Sequence, residues 1–266
     1  MEQRKRPEPL KTFLTEDHGN GIIEITAPPM RFKQYLVIGD EKALLIDTGF
    51  GYGSLKKVVE KLTDKPIILV KTHGHPDHGG GNAEFGSPLM DPADNELYAY
   101  KCAYEVRLDE AMHWHVDDAA EKLQPTPPAP TALEDGHVFD LGGRTLKVIR
   151  TPGHTRGSVC IYDEKTNSLF TGDNTNDHGV SLAEKAAASV STYLESLMKI
   201  KAVGADTLYT GHMPGKVAPE KVDCYIACAK RILAGERGAY VETPMARGYK
   251  LDADGASIQY DPERIQ

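Results

Sequence analysis

Residues 73–78 read His-Gly-His-Pro-Asp-His, which places three imidazoles and one carboxylate within six positions. They follow the apolar run Ile67-Ile68-Leu69-Val70, so these donors sit on a turn leaving a strand. A zinc ion takes about four N, O or S donors in a tetrahedron, and a catalytic site leaves one position open to water. One short loop cannot wrap four donors around a single ion without strain, so the spacing points to two neighbouring metals. Further donors wait downstream: His154 in Thr-Pro-Gly-His-Thr, Asp173 in Phe-Thr-Gly-Asp and His212 in Tyr-Thr-Gly-His. Each comes after a β-rich segment and a glycine, where a strand end holds a side chain rigidly. A lone histidine is more often a packing residue than a ligand, but that reading does not explain seven donors in this order.

The elements that must position them show in the periodicity. Strands are expected at 21–26, 33–39 and 43–47, the last two joined by a Gly-Asp-Glu-Lys turn. A helix over 54–62 puts Leu55, Val58, Val59 and Leu62 on one face, with Ser54 as its N-cap. Strand 67–70 and the donor loop follow, and active sites of open α/β sheets lie beyond such strand ends. The segment 91–130 is charged and helical in character, carries Tyr98, Tyr100, Tyr104, Met112, His113, Trp114 and His115, and ends in a proline-rich stretch at 125–130. It reads as an insertion. Strands return at 138–141, 145–150, 158–162, 168–171 and 207–209, with helices at 191–201 and 219–234, Pro219 opening the second. The tail 240–266 alternates about Asp252-Ala253-Asp254-Gly255, a hairpin turn that would add edge strands or reach a partner subunit.

Composition bounds the function. A chain of 266 residues with 40% hydrophobic and 26% charged residues is an ordinary globular protein with one sizeable core. Its net charge of -8 argues against the basic footprint of a nucleic-acid binder. No run of about 18 apolar residues occurs, and none stands behind the charged start at residues 1–10. We therefore expect a cytoplasmic protein acting on a small molecule, with neither nucleic acid nor membrane as partner, and compatible with a homo-oligomer. The four cysteines are too scattered for a disulfide framework, and Cys224 and Cys228, at i and i+4 on one helix face, read as core residues.

Thr72 to His78 spell Thr-His-x-His-x-Asp-His, and with the later His, Asp and His the chain resembles the metallo-β-lactamase superfamily over residues 20–235. The resemblance implies an αββα sandwich of two similar halves, here a single domain over 1–266 with 91–130 as a substrate lid. It also implies that His73, His75 and His154 hold one metal, Asp77, His78 and His212 the other, and that Asp173 bridges them. Two zinc ions are the first expectation, although iron and manganese accept the same donors. Such a pair generates a bridging hydroxide near neutral pH and polarises the bond attacked. Asp77 is then either a ligand alone or a ligand that also moves a proton. Asp47, ahead of Gly49, either braces the donor loop through hydrogen bonds or shapes a turn.

Comparison within that superfamily narrows the activity. Flavodiiron proteins would carry Glu where His75 stands. The superfamily's true β-lactamases are exported, and those with the Asp-His pair lack the bridging carboxylate. Glyoxalase II has a more compact middle region and a C-terminal helical extension, while lactonases of this type place a tyrosine where Asn176 stands. The expectation is hydrolysis of an ester, lactone, thioester or amide of a small, partly apolar metabolite. The rival is an oxidoreductase similar to persulfide dioxygenase with one iron, followed by a phosphodiesterase or β-lactamase. For substrate contact, Trp114 with its neighbouring tyrosines and Met112 would form an apolar wall, and His113 and His115 would donate hydrogen bonds, unless all of them pack the insertion onto its own domain. Asn174, Asn176 and His178, just after Asp173, are the next candidates.

Overall fold

The computed structural model describes residues 8–212, 214–242 and 246–266. The first seven residues of the charged start and residues 243–245 of the tail lie outside the described residues. Leu14–Asp17, Ile22–Ala27, Phe32–Ile38, Ala43–Ile46, Ile67–Val70, Leu89–Met90 and Thr131–Ala132 lie side by side in that order in one sheet. The first four run antiparallel, and the last three join in parallel. A second sheet has the order Lys216–Val217, Thr207–Thr210, Ser168–Gly172, Val159–Asp163, Thr145–Arg150 and Val138–Asp140.

Strand alternation explains how the layers stack. Tyr35, Val37, Leu44, Ile46 and Val70 face inward and meet Phe139, Leu146, Val148, Ile161 and Phe170 of the second sheet. The residues between them, Leu36, Ala43, Leu45 and Leu69, point outward and are covered by Leu55 and Val59 at the helix Lys56–Leu62. Burial on both faces accounts for the unbroken apolar runs. On the far side, Cys160, Leu169 and Leu208 are covered by the helices Val190–Val203 and Lys221–Leu233. The result is the expected αββα sandwich. The N-cap is Leu55 rather than Ser54, although Ser54 Oγ, one residue earlier, accepts the N–H of Lys57 at 3.3 Å. Pro219 likewise precedes its helix rather than opening the first turn.

The tail departs from expectation. Its hairpin forms, with Asp254 and Gly255 both at positive φ (55° and 79°) as a two-residue turn requires. Yet it is an edge of neither main sheet. Arg247–Ala253 and Ala256–Tyr260 join Ala239–Glu242 and the distant Val180–Leu182 in a third sheet. Leu251, Ile258 and Tyr260 pack into the same core as the two outer helices. A three-residue strand whose parallel partner lies far along the chain carries too little local pattern to be read.

The insertion folds as the helices Asn95–Lys101, Tyr104–His113 and Ala119–Lys122. Buried Arg107 locks it, donating to the carbonyls of Cys102 (3.0 Å), Phe50 (3.0 Å), Gln124 (2.7 Å) and Pro125 (3.0 Å). All four cysteines are free, with Cys228 buried in the helix face and Cys224 half-buried beside it. Among the described residues no helix is long and apolar enough to cross a membrane.

Candidate metal centre

His73 to His78 leave the end of Ile67–Val70 as read. His75 is extended, and Pro76 opens the short helix Pro76–Gly79, which carries Asp77 and His78 into a second donor group while the His78 ring stays 4.2 Å from that of His73. Two groups of donors result. His73 Nε2 and His154 Nε2 lie 3.1 and 2.9 Å from His75 Nδ1. In the other group, Asp77 Oδ2 lies 3.6 Å from His78 Nε2 and 3.4 Å from His212 Nε2. Asp173 reaches both: its Oδ2 is 2.9 Å from His212 Nε2 and 3.7 Å from His154 Nε2, and its Oδ1 is 3.3 Å from His78 Nε2. All seven residues of the sequence reading are brought together, in the two sets expected.

The chemistry of these atoms fits divalent cations. His73 Nδ1 faces Thr72 Oγ1 (3.1 Å), His78 Nδ1 faces Asp47 Oδ2 (2.8 Å), and His154 Nδ1 donates to the Ser181 carbonyl (2.9 Å). His75 Nε2 lies 3.4 Å from Glu184 Oε2. At His73, His78 and His154 the outward nitrogen therefore takes the proton, and the inward nitrogen turns a lone pair to the centre. His78 Nε2 and Asp173 Oδ1 are buried and make no hydrogen bond. Burial, and after it the neighbouring His78, holds the His73 imidazole well below its ordinary pKa, in the neutral form a ligand needs. Burial opposes ionisation of Asp173, but His212 and His78 outweigh it and hold the carboxyl well below the usual range. Burial also disfavours charge on His78, yet Asp173, Asp77 and Asp47 push its pKa well up, so this half of the centre favours positive charge.

The bracing role read for Asp47 is present. Its carboxylate accepts the Thr72 N–H (2.8 Å) and hydroxyl (2.7 Å) as well as facing His78, and its backbone is held at φ 64°. Sequence reasoning missed Asp94, which ties the donor loops together: Oδ2 accepts from Gly74 N (2.8 Å) and Thr155 Oγ1 (2.6 Å), and Oδ1 from Gly157 N (2.8 Å). In sequence it is only part of a polar Asp-Pro-Ala-Asp turn. Glu184, set against His75, was missed for the same reason.

The substrate candidates separate. A cleft of about 460 Å³ opens on His154, Asp173 and His212, and Met30, Arg31, Asn176 and His178 line it. Asn176 Oδ1 also accepts the N–H of His178 and Gly179, which shapes that wall. Asn174 is structural, its Oδ1 accepting from His154 N and its Nδ2 donating to the Thr151 carbonyl (2.6 Å). Trp114 packs on Phe50 (ring centroids 4.7 Å apart) and Phe32 (5.9 Å), and Phe32 stands edge-on to His212 (5.8 Å), so Trp114 is one ring removed from the donors. His113 is 74% exposed and donates back to the Asp109 carbonyl of its own helix; Met112 is 63% exposed, and His115 is exposed at φ 60°. Helical rotation explains the split: Arg107, Glu110, Ala111 and Trp114 share one face at i, i+3, i+4 and i+7, while Met112 and His113 turn away. Glu110 shares this inward face with Trp114. Burial first, then the Asp77 carboxylate, push its pKa up to about 7, with His75 and Glu184 also acting on it.

A family model described as the metallo-beta-lactamase superfamily matches residues 33–212. The chain belongs to this superfamily. Among superfamily relatives, the human acyl-coenzyme A thioesterase MBLAC2 is 32% identical over 161 residues, 52% of this chain and 56% of that protein. The atrochrysone carboxyl ACP thioesterase AacuM of Aspergillus aculeatus is 29% identical over 190 residues, 70% of this chain and 51% of that protein. The chain thus spans about half the length of these curated relatives. Among solved structures, the archaeal superfamily protein ST1585 from Sulfolobus tokodaii aligns with a TM-score of 0.61 at 20% identity, covering 86% of this chain and 91% of that one. TTHA1623 in a di-iron-bound form aligns with a TM-score of 0.57 at 25% identity, over 74% of this chain and 95% of that one.

Proposed function

We propose that this metallo-beta-lactamase superfamily member hydrolyses thioesters of small, partly apolar acids, with coenzyme A thioesters as its substrates. His73, His75 and His154 would hold one divalent cation, Asp77, His78 and His212 a second, and Asp173 would touch both. Two cations held there would supply hydroxide at neutral pH and polarise the carbonyl under attack. The chain's own residues do the rest. The mainly apolar cleft excludes water from the acyl group, and His178 and Arg31 border its polar end. Asp77, the more exposed of the two paired carboxylates, would take the proton of the attacking water on the oxygen left free of the cation and return it to the leaving thiolate.

The observation that carries this reading is Asp173 set within reach of both histidine groups beneath an open cleft. The thioesterase relatives support a sulfur leaving group. A mononuclear iron dioxygenase would leave the donor group of Asp77, His78 and His212 without an ion. Zinc remains the first choice of metal, and the di-iron form of TTHA1623 makes iron the next.

The test is thiol release from a panel of acyl-coenzyme A substrates, with lactones and a β-lactam alongside. The reading expects thioester turnover that chelation abolishes and metal restores. Turnover of a lactone or β-lactam without any thiol release contradicts it.

A further inference from the structure

A second cavity, of about 520 Å³, lies between the segment 183–185 and the C-terminal tail, outside the metal centre. Arg156, Lys185, Arg247 and Arg264 line it, against two carboxylates, Asp261 and Glu263, so it is basic on a chain whose net charge is -8. Arg264 is already engaged, its guanidinium donating to the carbonyls of Ala183, Glu184, Lys185 and Ala187 and to Asp261. Arg156 uses one nitrogen on the Lys185 carbonyl (2.7 Å). Lys185 and Arg247 form no ion pair among the described residues. Four cations against two carboxylates leave this lining with an excess of positive charge, which favours phosphate. Tyr240, on the same wall, is 57% exposed and braced edge-on by Tyr249 at 5.8 Å, which leaves its ring able to stack a base.

The two cavities lie along one stretch of chain. Val180 and Ser181 border the metal cleft, Ala183 and Lys185 border the basic cavity, and Glu184 between them turns back to His75. Ser181 and Lys185 stand four positions apart, with the chain bending at Glu184, so the two cavities are separate but neighbouring. A ligand with its reacting carbonyl over Asp173 and a phosphate in the second cavity therefore needs a long, flexible spacer, which is what the pantetheine arm of coenzyme A provides between sulfur and pyrophosphate.

We infer that the cavity lined by Arg156, Lys185, Tyr240 and Arg247 holds the phosphorylated adenosine end of a coenzyme A thioester whose acyl end occupies the metal cleft. The inference rests on the thioester reading for its substrate, while the pocket itself is tested separately. Isothermal titration of the full chain with adenosine 3′,5′-bisphosphate should show binding that K185A/R247A weakens about tenfold or more, the loss expected for two charge-assisted contacts. In parallel, the ratio of kcat/KM for an acyl-coenzyme A to that for the same acyl-pantetheine should be well above one and fall at least tenfold in the variant. A matched melting temperature establishes that the variant is folded, and R247K, which keeps the charge, should retain most of the preference. No bisphosphate binding at millimolar concentration overturns the pocket. So does equal turnover of acyl-coenzyme A and acyl-pantetheine, or turnover confined to a carrier-protein thioester. Bisphosphate binding that the variant loses, with no thioester hydrolysed, upholds the pocket and rejects the thioesterase reading instead.

Discussion

Asp94 accepts the backbone N–H of Gly74, between the first two histidine donors, at 2.8 Å, and it does so from the root of the inserted helices. Its other oxygen accepts Gly157 N at 2.8 Å, three residues beyond His154, so one buried carboxylate sets the separation of two donor loops. Asp94→Ala leaves these N–H groups buried without partners. We expect metal affinity to fall about 10- to 100-fold, the usual loss when an outer partner of a ligand is removed. Competition against a chromogenic chelator measures this, and unchanged affinity shows that the loops hold their spacing without Asp94.

Removing metal should destabilise the fold as well as stop turnover. Ligands held only by the native state stabilise it by mass action, about 2.7 kcal/mol for each site at a hundred times its dissociation constant. We expect chelation to lower the melting temperature by several degrees and re-addition to restore it. A melt indifferent to chelator would mean that the donors bind no ion in the folded chain.

Glu110 gives a pH signature. Burial, followed by Asp77, raises its pKa from 4.5 to about 7, so the folded chain carries a penalty for ionising it. That penalty is absent below the unfolded value, grows between pH 4.5 and about 7, and is complete above. Glu110→Gln should thus leave metal-stripped protein unchanged near pH 4 and stabilise it at pH 8 by about 1–2 kcal/mol, allowing for partial exposure. With cations loaded beside it the gain should shrink, because they favour the carboxylate. Equal denaturant midpoints for both proteins at pH 8 would remove the charge coupling.

Trp114→Ala should cost about 2–4 kcal/mol, since the indole fills space between Phe50 and Phe32. Its place one ring behind His212 predicts a lower melting temperature with little change in preference between short and long acyl chains. A marked loss of long-chain preference at unchanged stability would make it a wall of the substrate cleft.

What could be read from sequence was what chemistry and local period impose. Donors crowded into residues 73–78 have few other uses, and strands such as Ile67–Val70, buried on both faces, announce themselves as apolar runs. The pairing of Val180–Leu182 with Ala256–Tyr260 is a tertiary event between segments far apart, and nothing local encodes it. Asp94 and Glu184 resemble ordinary turn or loop acids until the fold brings Gly74 and His75 to them. For the helix Tyr104–His113, the crowding of Met112 to His115 drew attention to a run of neighbours, whereas a helix groups every third and fourth residue. Trp114 and Glu110 therefore face inward, and His113 does not.

We propose two adjacent cation sites that share Asp173. Calorimetric titration of chelator-stripped protein with zinc tests this proposal most directly. The account predicts about two equivalents per chain for the natural sequence, with Asp173→Ala weakening both binding events and His212→Ala mainly one. A single equivalent, indifferent to substitution at His78 and His212, would contradict it.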